Sequence, residues 1–260
     1  MHADLLIGPP APGDGEDLRR LWKRVFGDPD DYIDGWFDFW YDPALTLCVR
    51  DGEPVSMGFL LDVGRFSGVP CAMIYAVATD EAYRGGGLAS ALVRALRETA
   101  RARGFGCTVL RPAEPSLFDF YRTHTGHLPL FTAGEGVFSG AGAPGAREVG
   151  PEEYLALRET LLAGTPHVAF SRRAIEWFAR SGGRLWRVGD AVCAAEEEDG
   201  RVILKELLAP PRQRESAALA AARQYGREEC AARWPDPTGA PFAMADVSGP
   251  SGAWLGLAYD

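Results

Sequence analysis

The sequence predicts an α+β protein with a mixed, mostly antiparallel, twisted sheet flanked by helices, followed by a weaker copy of the same arrangement. An apolar strand runs into three glycines at residues 85–87, and a helix with apolar residues at helical spacing begins at once. Beyond a glycine- and proline-rich stretch, the order strand, short connection and amphipathic helix recurs. We therefore expect two domains, at residues 1–139 and 151–260, joined by a linker at 140–150.

The first half begins with two predicted helices, at residues 14–26 and 29–41, each with its apolar side chains on one face. The elements expected after them are strands at 45–50, 54–62 and 69–77, a helix from the glycines to about 103, a strand at 107–111, a short helix at 116–123 and a hairpin at 127–139. The first three strands can pair as hairpin neighbours, and we therefore expect a mixed sheet.

The second half repeats this rhythm in weaker form. The predicted elements are helices at 151–163 and 171–180, strands at 185–188, 191–197 and 201–208, a helix at 215–233, and strands at 241–247 and 253–259. Where the first half has its glycines, the second has Pro210 and Pro211, which lack backbone N–H donors. We predict a degenerate second unit, with an unrelated α+β appendage as the alternative.

Composition narrows the function classes. The 260 residues carry a net charge of -9, which argues against nucleic acid or an anionic membrane as the main partner. No apolar run approaches the roughly 20 residues that span a bilayer, and residues 1–12 do not resemble a secretion signal. Five scattered cysteines without a Cys-x-x-Cys pair indicate reduced thiols, and we expect a cytoplasmic protein.

The glycines at 85–87 predict an anion-binding loop. Glycines leave backbone N–H groups accessible, and the helix N-terminus behind them adds a partial positive charge, which suits a phosphate or pyrophosphate. The dinucleotide-binding fingerprint does not fit, because its third small position falls on Ser90. A P-loop does not fit either, because neither Lys23 nor Lys205 follows a glycine.

The pattern that fits is Arg/Gln-x-x-Gly-x-Gly/Ala, present as Arg84-Gly85-Gly86-Gly87-Leu88-Ala89 after a strand that ends in Val77-Ala78. On these residues the chain resembles the GNAT superfamily of acetyl-CoA-dependent N-acetyltransferases. The resemblance is strongest over residues 44–130, and the second half resembles the degenerate repeat of tandem GNAT proteins. It implies acetyl-CoA as cosubstrate and no metal.

The resemblance also implies how the coenzyme is bound. The backbone N–H groups expected to bind the pyrophosphate are those of Gly85, Gly86, Gly87, Leu88 and Ala89, with Arg84 adding charge. The strand backbone of Ala76, Val77 and Ala78 would pair with the pantetheine arm. The N–H of Val77 or Ala78 could polarise the thioester carbonyl.

Acetyl transfer to an amine involves two proton transfers: one to the leaving thiolate and one from the amine. Tyr121 occupies the short-helix motif of the family, where a tyrosine protonates the leaving thiolate; the alternative is a packed tyrosine that lines the cleft. The base that takes the amine proton stays open among Asp80, Glu81, Glu114 and the carboxylates of the last residue, Asp260, which tandem relatives direct into the first site.

The acceptor is expected at the second helix. Asp31, Asp34 and Asp38 share a face there, and aromatic residues including Trp36 are interleaved with them. Carboxylates beside aromatic rings suit a cationic amine, which makes Asp34, Trp36 and Asp38 candidate acceptor ligands. The alternative is a solvated acidic face over an aromatic core.

The sequence therefore predicts an N-acetyltransferase that acts on a primary amine of a small molecule or peptide, with a homo-oligomer possible. An acetyl-CoA-binding sensor without turnover is the alternative. His124 and His127 lie three residues apart, but no Cys or carboxylate completes a metal site with them.

Overall fold

The computed structural model describes residues 5–142 and 145–259. They form two compact units: 5–63, 69–128 and 244–247 make up the first, and the other described residues make up the second. The second unit thus includes residues 129–139, whereas the sequence predicts a first domain that runs to residue 139. The predicted domain boundaries stay a prediction.

Seven helices and thirteen strands are found in the described residues. The helices are α1 Gly15–Phe26, α2 Asp30–Trp40, α3 Leu88–Ala102, α4 Leu117–Thr125, α5 Pro151–Leu161, α6 Arg172–Arg180 and α7 Arg214–Ala222. The strands are β1 Ile7–Gly8, β2 Thr46–Asp51, β3 Glu53–Phe66, β4 Val69–Thr79, β5 Cys107–Leu110, β6 Leu128–Ser139, β7 Ala146–Glu148, β8 Val168–Phe170, β9 Arg184–Val188, β10 Ala191–Glu198, β11 Arg201–Leu208, β12 Glu229–Pro235 and β13 Ala240–Ala245.

In the first unit the strand order is β1-β2-β3-β4-β5, and the end of β13 pairs antiparallel with β5 through Met244 and Ala245. Strand β4 pairs parallel with β5, and α3 is the crossover between them. One face of α3 packs on the sheet through Leu92, Val93 and Leu96. The glycine loop therefore lies between a central strand and the helix that covers it.

In the second unit the strand order is β6-β12-β11-β10-β9-β7, and β8 pairs with residues 64–66 of β3. Here β11 and β12 are the parallel pair, and α7 is the crossover. Both units thus follow the order helix, helix, three strands, helix, strand, with β8 inserted between α5 and α6. This recurrence and the mixed sheet confirm the predicted fold class.

Three predicted elements are wrong. Residues 128–139 form one strand and not a hairpin, because Gly134 and Gly136 make room for the side chain of Trp234 on β12 and do not turn the chain. The helix predicted at 215–233 ends at Ala222, and its last part is β12. Residues 253–259 form isolated bridges and no regular strand, with Gly252 and Gly256 at positive φ.

Among the described residues, no helix has both the length and the hydropathy that a membrane crossing requires.

Candidate active site

The glycine loop connects β4 to α3. After β4 a short 3₁₀ turn over Glu81–Tyr83 leads into the exposed residues 84–87. Gly85 and Gly87 have φ of +80° and +82°, a region that residues with a Cβ atom enter only with strain. Gly87 is the N-cap of α3 and provides no side-chain cap, which leaves the first turn of the helix uncapped.

The N–H groups of this loop are available. No described residue accepts a hydrogen bond from the backbone N–H of residues 85–90. A methyl group on Gly85 would find nothing within 4 Å, and one on Gly86 would only approach the Tyr83 carbonyl at 3.9 Å. Uncommitted donors, open space and a helix N-terminus together fit a diphosphate group.

The edge of β4 opens next to this loop. Pairing with β5 covers Cys71, Ala72 and Met73, whereas β4 continues to Thr79. Ala76 has a φ of +46°, which kinks the strand, and residues 75–77 are half-buried. The recorded pairing of β4 with β5 therefore ends at Met73, and a strand that diverges from its neighbour in this way fits an extended ligand segment such as a pantetheine arm.

Arg84 is an exposed residue of the loop, whereas Tyr121 is half-buried on α4. The Nε of Arg84 donates to the Thr79 carbonyl at 3.0 Å, and its side chain is exposed beside the loop. Tyr121 is half-buried on α4 and packs against the same hydrophobic cluster as Val77 of β4. No described residue hydrogen-bonds the Tyr121 hydroxyl, and burial raises its pKa above the ordinary value.

The candidate bases have ordinary structural surroundings. Asp80 caps the 3₁₀ turn by accepting from the Ala82 N–H at 3.0 Å, and it pairs with Arg24 at 2.9 Å. Glu81 is exposed, and Glu114 accepts from the Ser116 hydroxyl at 3.3 Å. Asp260 lies outside the described residues. The base stays a prediction.

The three residues predicted to bind the acceptor lie on opposite sides of α2. Trp36 is fully buried in α2, with its ring 4.8 Å from that of Trp22 and 4.6 Å from that of Phe59. Asp34 and Asp38 are exposed on the other side, and Asp34 pairs with the Arg19 Nε at 3.1 Å. Trp36 thus forms part of the core behind the helix, and the predicted acceptor role of the three residues stays a prediction.

Two tyrosines that the sequence did not single out meet at this core. The hydroxyls of Tyr32 on α2 and Tyr75 on β4 lie 3.2 Å apart, and the Tyr75 ring stacks on Trp36 at 5.9 Å. Tyr75 immediately precedes the kink at Ala76. Its position in the strand before the loop is a signal that could have identified it.

A second polar group that the sequence did not assign lies at the end of α4. His127 is fully buried. Near it, the Thr108 N–H donates to the carboxylate of Asp246 at 2.6 Å, and these two residues lie 138 positions apart in the chain. His127 contacts two threonines, and the described part of the chain contains no group of three or more side chains placed to hold a metal ion. No local pattern in the sequence connects residues this far apart.

Residues 15–124 match the acetyltransferase (GNAT) family. The matched range contains the glycine loop, the end of β4 and Tyr121. A curated relative, the L-2,4-diaminobutyric acid acetyltransferase of Streptomyces coelicolor, is 34% identical over 113 residues. The match covers 42% of this chain, and the chain spans 64% of the length of that relative.

Solved structures agree on the fold over nearly the whole chain. A GCN5-related N-acetyltransferase from Kribbella flavida has a TM-score of 0.69 and 21% identity, covering 93% of this chain and 70% of its own. A tandem GNAT protein from the clavulanic acid biosynthesis pathway has a TM-score of 0.58 and 14% identity, covering 95% and 100%. Both units therefore fall within the fold of known GNAT structures.

Proposed function

We propose that this protein is an N-acetyltransferase that moves the acetyl group of acetyl-CoA to a primary amine, with its working site in the first unit. The observation that carries the proposal is the set of uncommitted N–H groups at residues 85–90, at the uncapped N-terminus of α3. The match of residues 15–124 to the acetyltransferase (GNAT) family supports the same reaction.

Bound acetyl-CoA supplies an activated thioester. The N–H groups of residues 85–89 bind its pyrophosphate, and Arg84 adds a positive charge beside it. The open edge of β4 at Ala76, Val77 and Ala78 orients the pantetheine arm along the strand. Most of the rate acceleration then comes from holding the thioester and the amine together in the attack geometry.

Tyr121 donates the proton that the departing sulfur needs. Its hydroxyl has no hydrogen-bond partner among the described residues, which leaves it available to a ligand. Burial raises its pKa, and the phenol is therefore protonated over the whole physiological range. A protonated phenol next to a thiolate is a competent general acid.

The acceptor is a small molecule with a primary amine. The curated relative carries the name of an acetyltransferase of L-2,4-diaminobutyric acid, a small diamine, which supports this class. Asp38 is exposed on α2 and supplies negative charge for a cationic amine, and Asp34 on the same side adds to it on leaving its pair with Arg19.

A coupled measurement tests the proposal. Release of free thiol from acetyl-CoA is followed with a panel of small amines and of peptides with a free N-terminal amine. The shift in thermal unfolding temperature on addition of CoA is measured on the same protein. Turnover with at least one amine, together with stabilisation by CoA, is expected. Stabilisation by CoA without turnover of any amine would indicate an acetyl-CoA-binding sensor and not an enzyme. Absence of both stabilisation and turnover would overturn the proposal.

A further inference from the structure

A chain of hydrogen bonds runs from β5 to the backbone of Tyr121. The Thr125 hydroxyl donates to the Tyr121 carbonyl at 2.7 Å, and the same oxygen lies 2.8 Å from Nδ1 of His127. On the other side of the ring, Nε2 lies 3.2 Å from the Thr108 hydroxyl. Thr108, Thr125 and His127 are all buried.

The Tyr121 carbonyl fixes which nitrogen of His127 carries a proton. A carbonyl can only accept, and the single hydroxyl proton of Thr125 is therefore committed to Tyr121. His127 Nδ1 must then donate to Thr125. Burial lowers the pKa of His127 to about 4, and the ring is therefore neutral near pH 7. With its proton on Nδ1, the unprotonated Nε2 accepts from the Thr108 hydroxyl.

Arginines of α3 hold the same end of α4. Arg94 donates to the His124 carbonyl at 2.8 Å, and Arg97 donates to the Thr125 carbonyl. Arg97 is itself fixed, because its Nε contacts Asp246 at 3.0 Å and Asp246 is 2% exposed. The last carbonyls of α4, which no helix N–H can reach, therefore find partners on a rigid neighbour.

The other end of α4 has less support. Ser116 is its N-cap and makes no side-chain cap hydrogen bond, and residues 113–116 are exposed. A helix of nine residues has little stability of its own, and its position depends on what anchors it. The anchor lies one turn after Tyr121, through the bond from the Thr125 hydroxyl.

We propose that Thr125 and His127, together with Arg97, are positioning residues that determine where the Tyr121 hydroxyl lies. This inference rests on the proposed function, in which that hydroxyl protonates the thiolate. None of the three needs to touch a ligand. Their effect reaches the reaction through α4 alone. The part that Thr125 and His127 contribute is lost when the Thr125 hydroxyl is lost, because Arg97 bonds to the Thr125 carbonyl instead.

The test compares three variants of the full chain. Thr125→Val removes the hydroxyl with little change in shape, Thr125→Ser keeps it, and Thr123→Val makes the same change at an exposed residue of the same helix. Each is combined with Tyr121→Phe. We expect Thr125→Val to lower kcat about tenfold, with the KM for acetyl-CoA little changed, and the other two to leave kcat near the wild-type value.

The decisive result is the coupling to Tyr121. If Thr125 acts by positioning Tyr121, the loss of kcat from Tyr121→Phe shrinks from about a hundredfold to about tenfold in the Thr125→Val background and stays about a hundredfold in the Thr123→Val background. Additive losses in Thr125→Val, or a Thr125→Ser variant as slow as Thr125→Val, would overturn the inference.

A measurement without turnover separates this inference from the proposed function. The protein is labelled with 3-fluorotyrosine, and the ¹⁹F resonance of Tyr121 is identified as the one that Tyr121→Phe removes. A shift or broadening of this resonance in Thr125→Val, but not in Thr125→Ser or Thr123→Val, supports the positioning role even if no amine is acetylated. An unchanged resonance in Thr125→Val overturns it.

Discussion

The indole of Trp234 lies against the backbone of Gly134 on the neighbouring strand, in the space that a side chain at position 134 would need. The two residues are register partners on β12 and β6, and a methyl group on Gly134 would lie 2.2 Å from Nε1 of Trp234. The guanidinium of Arg214 covers the same indole, 4.9 Å from its ring centre. Gly134 thus makes room for a large ring within the sheet.

We therefore expect Gly134→Ala to destabilise the protein by about 1–3 kcal/mol, because the indole must move from a packed position. The control is Gly35→Ala, inside α2, where a methyl group would meet nothing within 4 Å. That substitution should stabilise by about 0.5–1 kcal/mol through helix propensity. Urea unfolding measures both, and effects of equal sign would contradict this account.

Gly87→Ala should weaken CoA binding about tenfold or more, because a left-handed φ of +82° strains any residue with a Cβ atom and the loop must rearrange. Gly104, beyond the other end of α3, has a φ of +90° and open space around it. Gly104→Ala therefore matches the strain without touching the loop. Calorimetric titration with CoA should separate the two variants, and equal affinities would argue against the loop as the pyrophosphate site.

Tyr121→Phe should lower kcat about a hundredfold and leave the KM for acetyl-CoA within about threefold, because the phenol acts after binding. In the wild-type enzyme, kcat should not fall between about pH 7 and about pH 9.5, since burial raises the pKa of Tyr121 above its ordinary value near 10. Tyr225→Phe, which removes a hydroxyl bonded to the Ala195 carbonyl in the second unit, is the control. A wild-type kcat in Tyr121→Phe would assign the acid elsewhere.

His127 should make stability depend on pH in the acid range. Burial is the main cause that lowers its pKa from 6.5 to about 4; Asp246 raises the pKa and Arg97 lowers it. The unfolded chain therefore binds the proton first, and the contribution to stability is complete above pH 6.5 and is lost as the pH falls toward 4, by about 3 kcal/mol in all.

The free energy of unfolding of the wild-type protein and of His127→Asn, measured in urea at about pH 7 and about pH 4.5, checks this expectation. The variant should lose less stability on acidification than the wild type. Parallel losses would mean that other groups carry the acid sensitivity.

Glu206→Gln should destabilise the second unit by about 3–5 kcal/mol, because it removes the buried carboxylate that balances the charge of buried Arg158 and leaves it the half-exposed Glu159 at 3.3 Å. The carboxylate of Glu206 is fully buried and accepts from Arg158 Nε at 2.9 Å, from Trp254 Nε1 at 2.6 Å and from the Tyr154 hydroxyl. An amide at this position can accept at only one of its two terminal atoms.

Glu135→Gln is the matched control, since Glu135 pairs with Arg233 at 2.9 Å but is 59% exposed. Its loss should stay below about 1 kcal/mol. Thermal or urea unfolding distinguishes the two cases, and a small loss in Glu206→Gln would indicate that water or another group replaces the carboxylate.

Local patterns predicted most of the first unit. Helical spacing in α1, α2 and α3, and the glycines before α3, are signals within one or two turns of chain, and the structure has these elements within two residues of the predicted bounds. The predictions failed where contacts with residues distant in sequence determine the local conformation. Residues 229–233 were predicted as the end of a helix, yet they belong to β12 because β11 and β6 lie on either side of them.

The sequence by itself determined the order of the main elements from α1 to α4 and the place of the glycine loop, because both follow from side-chain periodicity and from a run of glycines before a helix. Only the tertiary structure decided which residues support Tyr121 and the end of α4. The buried chain from Thr108 through His127 and Thr125 to Tyr121, and the contact of Asp246 with Arg97, join segments up to 149 residues apart. Their partners are selected by burial and unsatisfied polar groups, which no local pattern records.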